Sequence, residues 1–481
     1  MTPDNPTGEK KIIVWFRKDL RLLDNPSIFE AVSNGYSIIP IFIWDSDTNQ
    51  KWAPGEASRW WLHNALASLA SDIAKLGGNL SFYHGDPSNI LSKLVRESSA
   101  DGVYFGRAFD PYGMEVEAAV INSLRSNNIH QESFNSTLLV EPWEVQNKTG
   151  KPFQVFTPFW RHTRKYIFQE PLSYHLDNIS FSDFPSVGIA LDELGLLPRL
   201  DWHQKLHQYW EVSEDAAHKR LAYSLYSVVD SYSHRRNNPG IDGTSRLSPY
   251  LAWGLLSPRQ ICHAVLENEP EGSNRGQNKF LTEVGWREFS YHLLYHYPTI
   301  TDQPLRPKYQ SFPWLNDPDT LDKWKFGNTG YPMVDAGMRQ LYETGWMHNR
   351  VRMVVASFLV KHLLISWNEG AKWFWDTLVD ADLASNTQGW QWAAGCGADA
   401  APYFRIFNPI LQGEKFDAKG NYVRKWIPPL DDVPKKWLFS PWDAPKKSLE
   451  DTTLSLGENY PEPCVEHKFA RARALEALST I

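Results

Sequence analysis

Cysteine is scarce: Cys262, Cys396 and Cys464 are the only three in 481 residues, far apart and odd in number. They make neither a disulfide framework nor a zinc-ligand spacing. No apolar run approaches the roughly 18 residues of a membrane span. The opening MTPDNPTGEKK lacks the apolar stretch of a signal peptide. A reducing, cytoplasmic setting is therefore expected, nuclear or organellar if the source is eukaryotic, with no membrane contact. Basic charge is in deficit, with 49 Lys and Arg against 56 Asp and Glu. Nucleic acid can then be held only by a local basic patch. No Ser–His–Asp set or metal-ligand cluster stands out, and no Gly-x-Gly-x-x-Gly follows the first apolar run.

Aromatic residues, in contrast, are plentiful: 22 Trp, 20 Tyr and 24 Phe. Most must be core, because these rings bury large areas whatever the function. One stretch, 380–409, is harder to read as plain packing. DADLASNTQGWQWAAGCGADAAPYFRIFNP sets Asp380 and Asp382 in a region with Trp390, Trp392, Phe404 and Phe407. Carboxylates buried among rings need partners. A bound heterocycle with several N–H groups would satisfy the acids and explain the rings.

The chain divides into three parts. Over 11–140, the short apolar runs KIIVWF, SIIPIFIWD, NLSFYHGD and DGVYFGRA read as strands, with a fifth closing HQESFNSTLLV. SRWWLHNALASLASDIAKLGG and EVEAAVINSLRSNN read as helices between them. Such alternation implies an α/β domain with a doubly wound parallel sheet, and any ligand outside the strand C-termini. Residues 141–204 are interrupted by proline and read as a long connection, with a short helix at FTPFWRHTRKY. From 205 to 470 helical patterns follow one another, among them EDAAHKRLAYSLYSVVDSYSHRR, NKFLTEVGWREFSYHLLYHY and WMHNRVRMVVASFLVKHLLISW. An all-helical second domain is expected.

Three segments carry candidate chemistry. In GTSRLSPYLAWG, Thr244, Ser245, Arg246 and Ser248 precede a helical pattern and suit an anion, although simple helix capping needs the same residue types. In TEVGWREF, Glu283, Trp286 and Arg287 share one helix face; an ordinary Glu–Arg pair beside a core Trp is the alternative, and the residues leave both open. In GWMHNRVRM, Asn349 and Met353 share a face, Arg352 suits a carboxylate such as Asp380, and His348 reads as structural. Arg235, Arg236, Arg287, Arg350 and Lys415 are candidates for a basic rim, which would suit splayed bases and phosphates if they converge.

Taken in order, VWFRKDLRLLDN, GTSRLSPYLAWG, EVGWREF, GYPMVDAGMRQLYETGWMHNRVRM and the 380–409 stretch through FNPILQGEKFD and YVRKWIPPL closely resemble the photolyase/cryptochrome family of flavoproteins. The resemblance covers about residues 11–470. It implies FAD held in a U shape by the helical domain. Tyr232, Thr244, Ser245, Arg246, Leu247 and Ser248 correspond to the pyrophosphate side. Arg287, Arg352, Asp380, Asp382 and Asn386 correspond to the groups around the ring and ribose. Asp380 is expected to pair with Arg352, and Asn386 to lie near the flavin N5. Phe280 stands where bacterial relatives tend to have Trp.

The same resemblance orders the possible substrates. Enzymes for (6-4) photoproducts place His where Asn349 and Met353 stand here. Plant cryptochromes, which are photoreceptors, typically have Asp at position 386. Both alternatives rank behind repair of cyclobutane pyrimidine dimers in UV-damaged DNA. For that reaction Glu283 and Asn349 would contact the dimer, and Trp286, Trp392 and Met353 would wall its pocket. Arg236, Arg287 and Arg350 would face the DNA. Trp390, Trp367 and Trp314 resemble the triad that carries electrons to photoexcited flavin. Many bacterial relatives hold an antenna folate with Cys-Lys where Thr301-Asp302 stands here. A folate held elsewhere is placed first, ahead of a deazaflavin inside the α/β domain or no antenna. A monomer is expected.

Overall fold

The computed structural model describes residues 9–45, 51–184, 188–268, 274–400 and 405–481. Five parallel strands, β1 (Lys11–Phe16), β2 (Ser37–Trp44), β3 (Ser81–His84), β4 (Gly102–Gly106) and β5 (His130–Phe134), form a sheet in the order β3-β2-β1-β4-β5. The period of two along β1 sorts its side chains: Ile12, Val14 and Phe16 enter one core, Ile13 and Trp15 the other. A strand buried on both faces reads as a continuous apolar run, which is why KIIVWF was legible. β5 occupies the start of HQESFNSTLLV rather than its end, a correction of register.

Helices α1 (Pro26–Ser33), α2 (Glu56–Lys75), α3 (Pro87–Ser98) and α4 (Pro111–Ser126) cross between the strands. Neither α1 nor α3 was expected from periodicity, yet both announce themselves. Asn25-Pro26, Asp86-Pro87 and Asp110-Pro111 each pair a side-chain cap with a proline at the first helical position. The connection is more than a surface tether. β6 (Ser180–Phe181) adds to β2, and Phe156 of α5 (Phe156–Thr163) stacks on Trp286 with centroids 3.8 Å apart.

The second domain contains α6 (Glu214–Ser227), α7 (Tyr232–Arg235), α8 (Ser248–Ala252), α9 (Pro258–Glu267), α10 (Arg275–His296), α11 (Pro318–Lys325) and α12 (Pro332–Thr344). Then come α13 (Asn349–Ser357), α14 (Trp367–Thr377), α15 (Leu383–Ala394), α16 (Pro409–Phe416), α17 (Asn421–Trp426) and α18 (His467–Ser479). Two expected helices are broken. The segment 214–236 stops at Ser227 and resumes as α7. The segment 346–367 runs only to Ser357, widens into a π turn at Phe358–His362 and turns through Leu364 at φ 55°. Such widened turns re-aim the side chains they carry, and this one carries Lys361.

At the point where the sheet order reverses, the loop leaving β1 is committed to the helical domain. Arg21, fully buried, donates to the carbonyls of Gly254 (3.0 Å), Asp24 (2.8 Å) and Ser136 (2.8 Å). Glu214 takes the N–H groups of Leu22 and Leu23, and Asp24 meets Ser257 and Arg259. Gly254, at φ +69°, lies against the Lys18 carbonyl, where a Cβ would collide. The ligand-binding residues must therefore be sought in the helical domain.

Candidate cofactor and nucleic-acid site

Three distant segments meet at Asp380, in the turn between α14 and α15. Its side chain is 3% exposed. Arg352 Nη2 donates to both carboxylate oxygens, at 3.0 and 2.7 Å, and Ser248 Oγ donates to Oδ2 at 2.6 Å. Arg352 Nε is anchored on the Met347 carbonyl at 2.7 Å, so the guanidinium is fixed from two sides. A buried pair so satisfied persists because each extra hydrogen bond offsets the lost hydration. Asp382 caps α15 through the Ser385 N–H at 2.7 Å and accepts the Tyr291 hydroxyl. Burial, then the Asp382 charge, pushes that phenol well above its ordinary range. The Asn386 amide donates to the Ala371 carbonyl at 3.0 Å.

The helix after GTSRLS is only one turn and a half, so the loop before it matters more. Arg220 turns the loop carbonyls inward, taking Ser245 O at 2.6 Å and Thr244 O at 3.1 Å. Arg246 adopts a left-handed φ of 53°. Among the described residues, no acceptor takes the backbone N–H groups of 244–248. Successive free amides around a left-handed residue make an anion-binding concavity. Nearby on α7 and α10, which are packed through Tyr232 and Phe280 at 5.2 Å, Ser233 Oγ and both amide atoms of the buried Gln277 lack partners among the described residues. Orphaned buried groups of this kind require an explanation. A ligand with a pyrophosphate and a polar heterocycle supplies one, so these residues fit FAD.

His348 locates the basic groups. It is buried, and its Nδ1 accepts the Arg350 N–H at 3.1 Å. Burial first, then the charges of Arg350, Arg352, Arg236 and Arg246, lower its pKa to about 3. Asn237, next to Arg236, brings Arg350 to the end of α7, and Arg352 follows Arg350 by two residues on α13. Arg350 is held by Asn237 at 2.8 Å and lies over the Phe416 ring at 4.3 Å. Arg236 pairs with Glu283. Arg287 does not join them; it donates to Thr137 O at 2.7 Å, across the domain boundary, and lies over Tyr291. Asn349 is exposed at the start of α13.

Met353 and Trp392 line one small cavity of about 20 Å³ with Ser357, Lys361, Arg405 and Phe407. Trp286 is not among them; it stacks on Phe156. Phe404 lies outside the described residues. Trp390 and Trp367 are 2% and 3% exposed, and Trp314 is half-buried. Trp390 packs on Phe374 and Trp324 at 5.0 and 6.0 Å. The N–H of Leu315, next to Trp314, donates to the Leu364 carbonyl, which brings Trp314 towards the Trp367 segment.

Lys361 was not singled out from sequence, and neither were Ser357, Gln277 or Tyr291. Lys361 is buried and donates to the Arg405 carbonyl. Burial, then Arg405, lowers its pKa from 10.5 to about 7. Between those values the unfolded chain holds a proton that the native state has released, so stability rises with pH across the window. Lys361→Met is expected to stabilise the protein most at pH 6, by on the order of 3 kcal/mol after the lost hydrogen bond is allowed for, with a raised melting temperature. Melts of both proteins should converge towards pH 10. A difference that does not depend on pH would refute the assignment.

Two family models match the chain: DNA photolyase over residues 12–175, and the FAD binding domain of DNA photolyase over 280–480. A deoxyribodipyrimidine photo-lyase of Agrobacterium fabrum is 44% identical over 474 residues, 98% of either chain. Cryptochrome-2 of Arabidopsis thaliana is 36% identical over 98% of this chain and 79% of its own. The crystal structure of a bacterial class III photolyase from Agrobacterium tumefaciens aligns with a TM-score of 0.94 at 42% identity, covering 100% of this chain and 99% of that one. Similarity at this level, running through both domains, places the chain in the photolyase/cryptochrome family.

Proposed function

We propose that the protein is a light-driven DNA repair lyase that splits cyclobutane pyrimidine dimers. The observation that carries this reading is the approach of Arg350 to the Arg236 segment through Asn237, two residues before the Arg352 that holds Asp380. A flavoprotein that only passed electrons would have no need of that surplus of cations. The unengaged amides of 244–248, with Tyr232 and Leu247, would hold the FAD pyrophosphate, and Arg352, Asp380, Asp382 and Asn386 the ring and ribose. Bound there in its reduced form, FAD would supply light-driven one-electron chemistry with no net change of redox state.

The chain's own residues orient, bind and exclude water. Arg236 and Arg350 take phosphates that flank the lesion, contacts that position rather than read sequence. Glu283 and Asn349 hydrogen-bond the flipped dimer, with Met353 and Trp392 as its apolar wall. Flipping costs less for a dimer than for intact bases, because its stacking and pairing are already damaged. Trp390, Trp367 and Trp314 would carry electrons to the flavin, a reading supported by the burial of the first two and the partial exposure of the third. Asn349 and Met353 disfavour (6-4) chemistry, and Asn386 disfavours the plant photoreceptor type.

A folate is our reading of the antenna. Thr301-Asp302 stands where relatives have Cys-Lys, and Asp302 is paired with Lys51, so we place the folate elsewhere. Within the α/β domain, a cavity of about 440 Å³ beyond β2 and β3 is lined by Asp45, Asp86 and Glu115, which repel an anionic chromophore. We read the protein as a monomer in the cytoplasm; among the described residues no helix is long and apolar enough to cross a membrane. The test is illumination of the reduced holoprotein with a thymine-dimer oligonucleotide. Restored thymines are expected in light and none in the dark, with Glu283→Ala lowering the yield roughly tenfold, the loss of one hydrogen bond to the dimer, while FAD stays bound. No turnover by the wild type would favour a photoreceptor instead.

A further inference from the structure

Glu283 is neutralised twice. Lys279 Nζ lies 2.9 Å from its Oε1, and Arg236 Nη1 is paired with the same oxygen. Oε2 has no partner among the described residues. The repair reading asks Arg236 to hold a phosphate and Glu283 to hold the dimer, so the two must part when DNA arrives. A carboxylate abandoned beside a polyanion is costly unless another cation stays with it. We infer that Lys279 is a positioning residue that keeps Glu283 neutral and in place while Arg236 is exchanged onto a DNA phosphate. The inference rests on the repair reading proposed above.

The surroundings suit such an exchange. Arg236 lies over the Tyr232 ring at 5.2 Å and feels the like charge of Arg350 from α13, which biases it towards a second anion. Lys279 and Glu283 are one turn apart on α10, and among the described residues no second carboxylate is paired with Arg236 or Lys279. The side chains of Arg236, Glu283 and Lys279 are 12%, 27% and 39% exposed. The cation meant to stay is thus the one furthest towards solvent, on a long adaptable stem. Helix stability does not account for the pair, because a Lys four residues before a Glu is the less favourable order.

The test is a double-mutant cycle on the FAD-loaded protein, with lesion-containing and undamaged oligonucleotides titrated across a range of salt. Lys279→Met keeps the stem and removes the charge. It should weaken lesion binding about fivefold. It should also flatten the salt dependence by about one phosphate, a slope change near 0.9, because Arg236 stays with Glu283. Lys279→Arg should restore both. In a Glu283→Gln background, Lys279→Met should change neither quantity, since nothing then competes for Arg236. Equal losses in the two backgrounds would mean that Lys279 meets phosphate directly, and no loss in either would mean that it does nothing; both outcomes overturn the proposal. Flavin absorbance checks that each variant is folded. Wild-type protein that cannot tell lesion from undamaged DNA would overturn the repair reading, and this inference with it, before any variant is compared.

Discussion

Asp380→Ala is expected to give colourless protein that does not take up FAD on reconstitution. The carboxylate is the meeting point of Arg352, Ser248 and the turn before α15. Its removal leaves the half-buried Arg352 guanidinium with the Met347 carbonyl as its remaining acceptor among the described residues, and the Ser248 hydroxyl without its own. Breaking one side of a buried pair costs about 3–5 kcal/mol, more than the pair itself contributes. The melting temperature should therefore fall together with the loss of flavin. Asp380→Asn keeps the shape and an acceptor for Ser248 but discards the charge, and should fall between the two. Flavin absorbance after reconstitution and a thermal melt check both effects. A yellow Asp380→Ala protein with an unchanged melt would remove this carboxylate from the centre of the site.

The second large effect is expected far from the flavin residues. Arg21→Met should destabilise the protein by about 3–5 kcal/mol, because three buried carbonyls lose their donor and the Asp24 carboxylate loses a nearby cation. Two of those carbonyls belong to the sheet domain and its outgoing chain, and one, Gly254, to the helical domain. The variant should melt in two steps, the domains no longer unfolding together, and should be nicked faster by protease in the connection. One cooperative transition at the wild-type temperature would show that the docking does not depend on Arg21.

Much of this architecture can be read from residues. β1 and β2 are spelled out by unbroken apolar runs, and α2 by its spacing and its Gly77-Gly78 stop. α1 and α3 were equally legible through their Asx-Pro starts, a local signal that periodicity alone passes over. The break after Ser357 was not legible, because MVVASFLVKHLL keeps a helical pattern through it. The turn widens where Lys361 reaches the Arg405 carbonyl, 44 residues away in sequence. Distance along the chain limits the site in the same way. The type match of Arg352 with Asp380 could be anticipated, but not Ser248 as a third partner, 132 residues off. Glu283 and Arg287 looked equivalent on one helix face. Only the fold separates them, turning Arg287 to Thr137 and Glu283 to Arg236 and Lys279. The family resemblance named Arg236 and Glu283 as separate contacts; that they neutralise each other had no sequence signal.

The docking of Arg21 also bears on how the protein is made. Arg21 and Gly254 are 233 residues apart, and β6 completes its side of the sheet only at Ser180 and Phe181. At about 5–20 residues per second, a ribosome takes on the order of 10–50 s to pass from one to the other. During that interval Arg21 must remain hydrated, and the sheet keeps an unfinished edge. Contacts this distant in sequence slow folding, since their loop entropy is lost before they contribute any stability. Docking of the β1 loop therefore waits on the segment around Gly254, and a nascent chain stalled before it would present that loop to chaperones rather than to its own second domain.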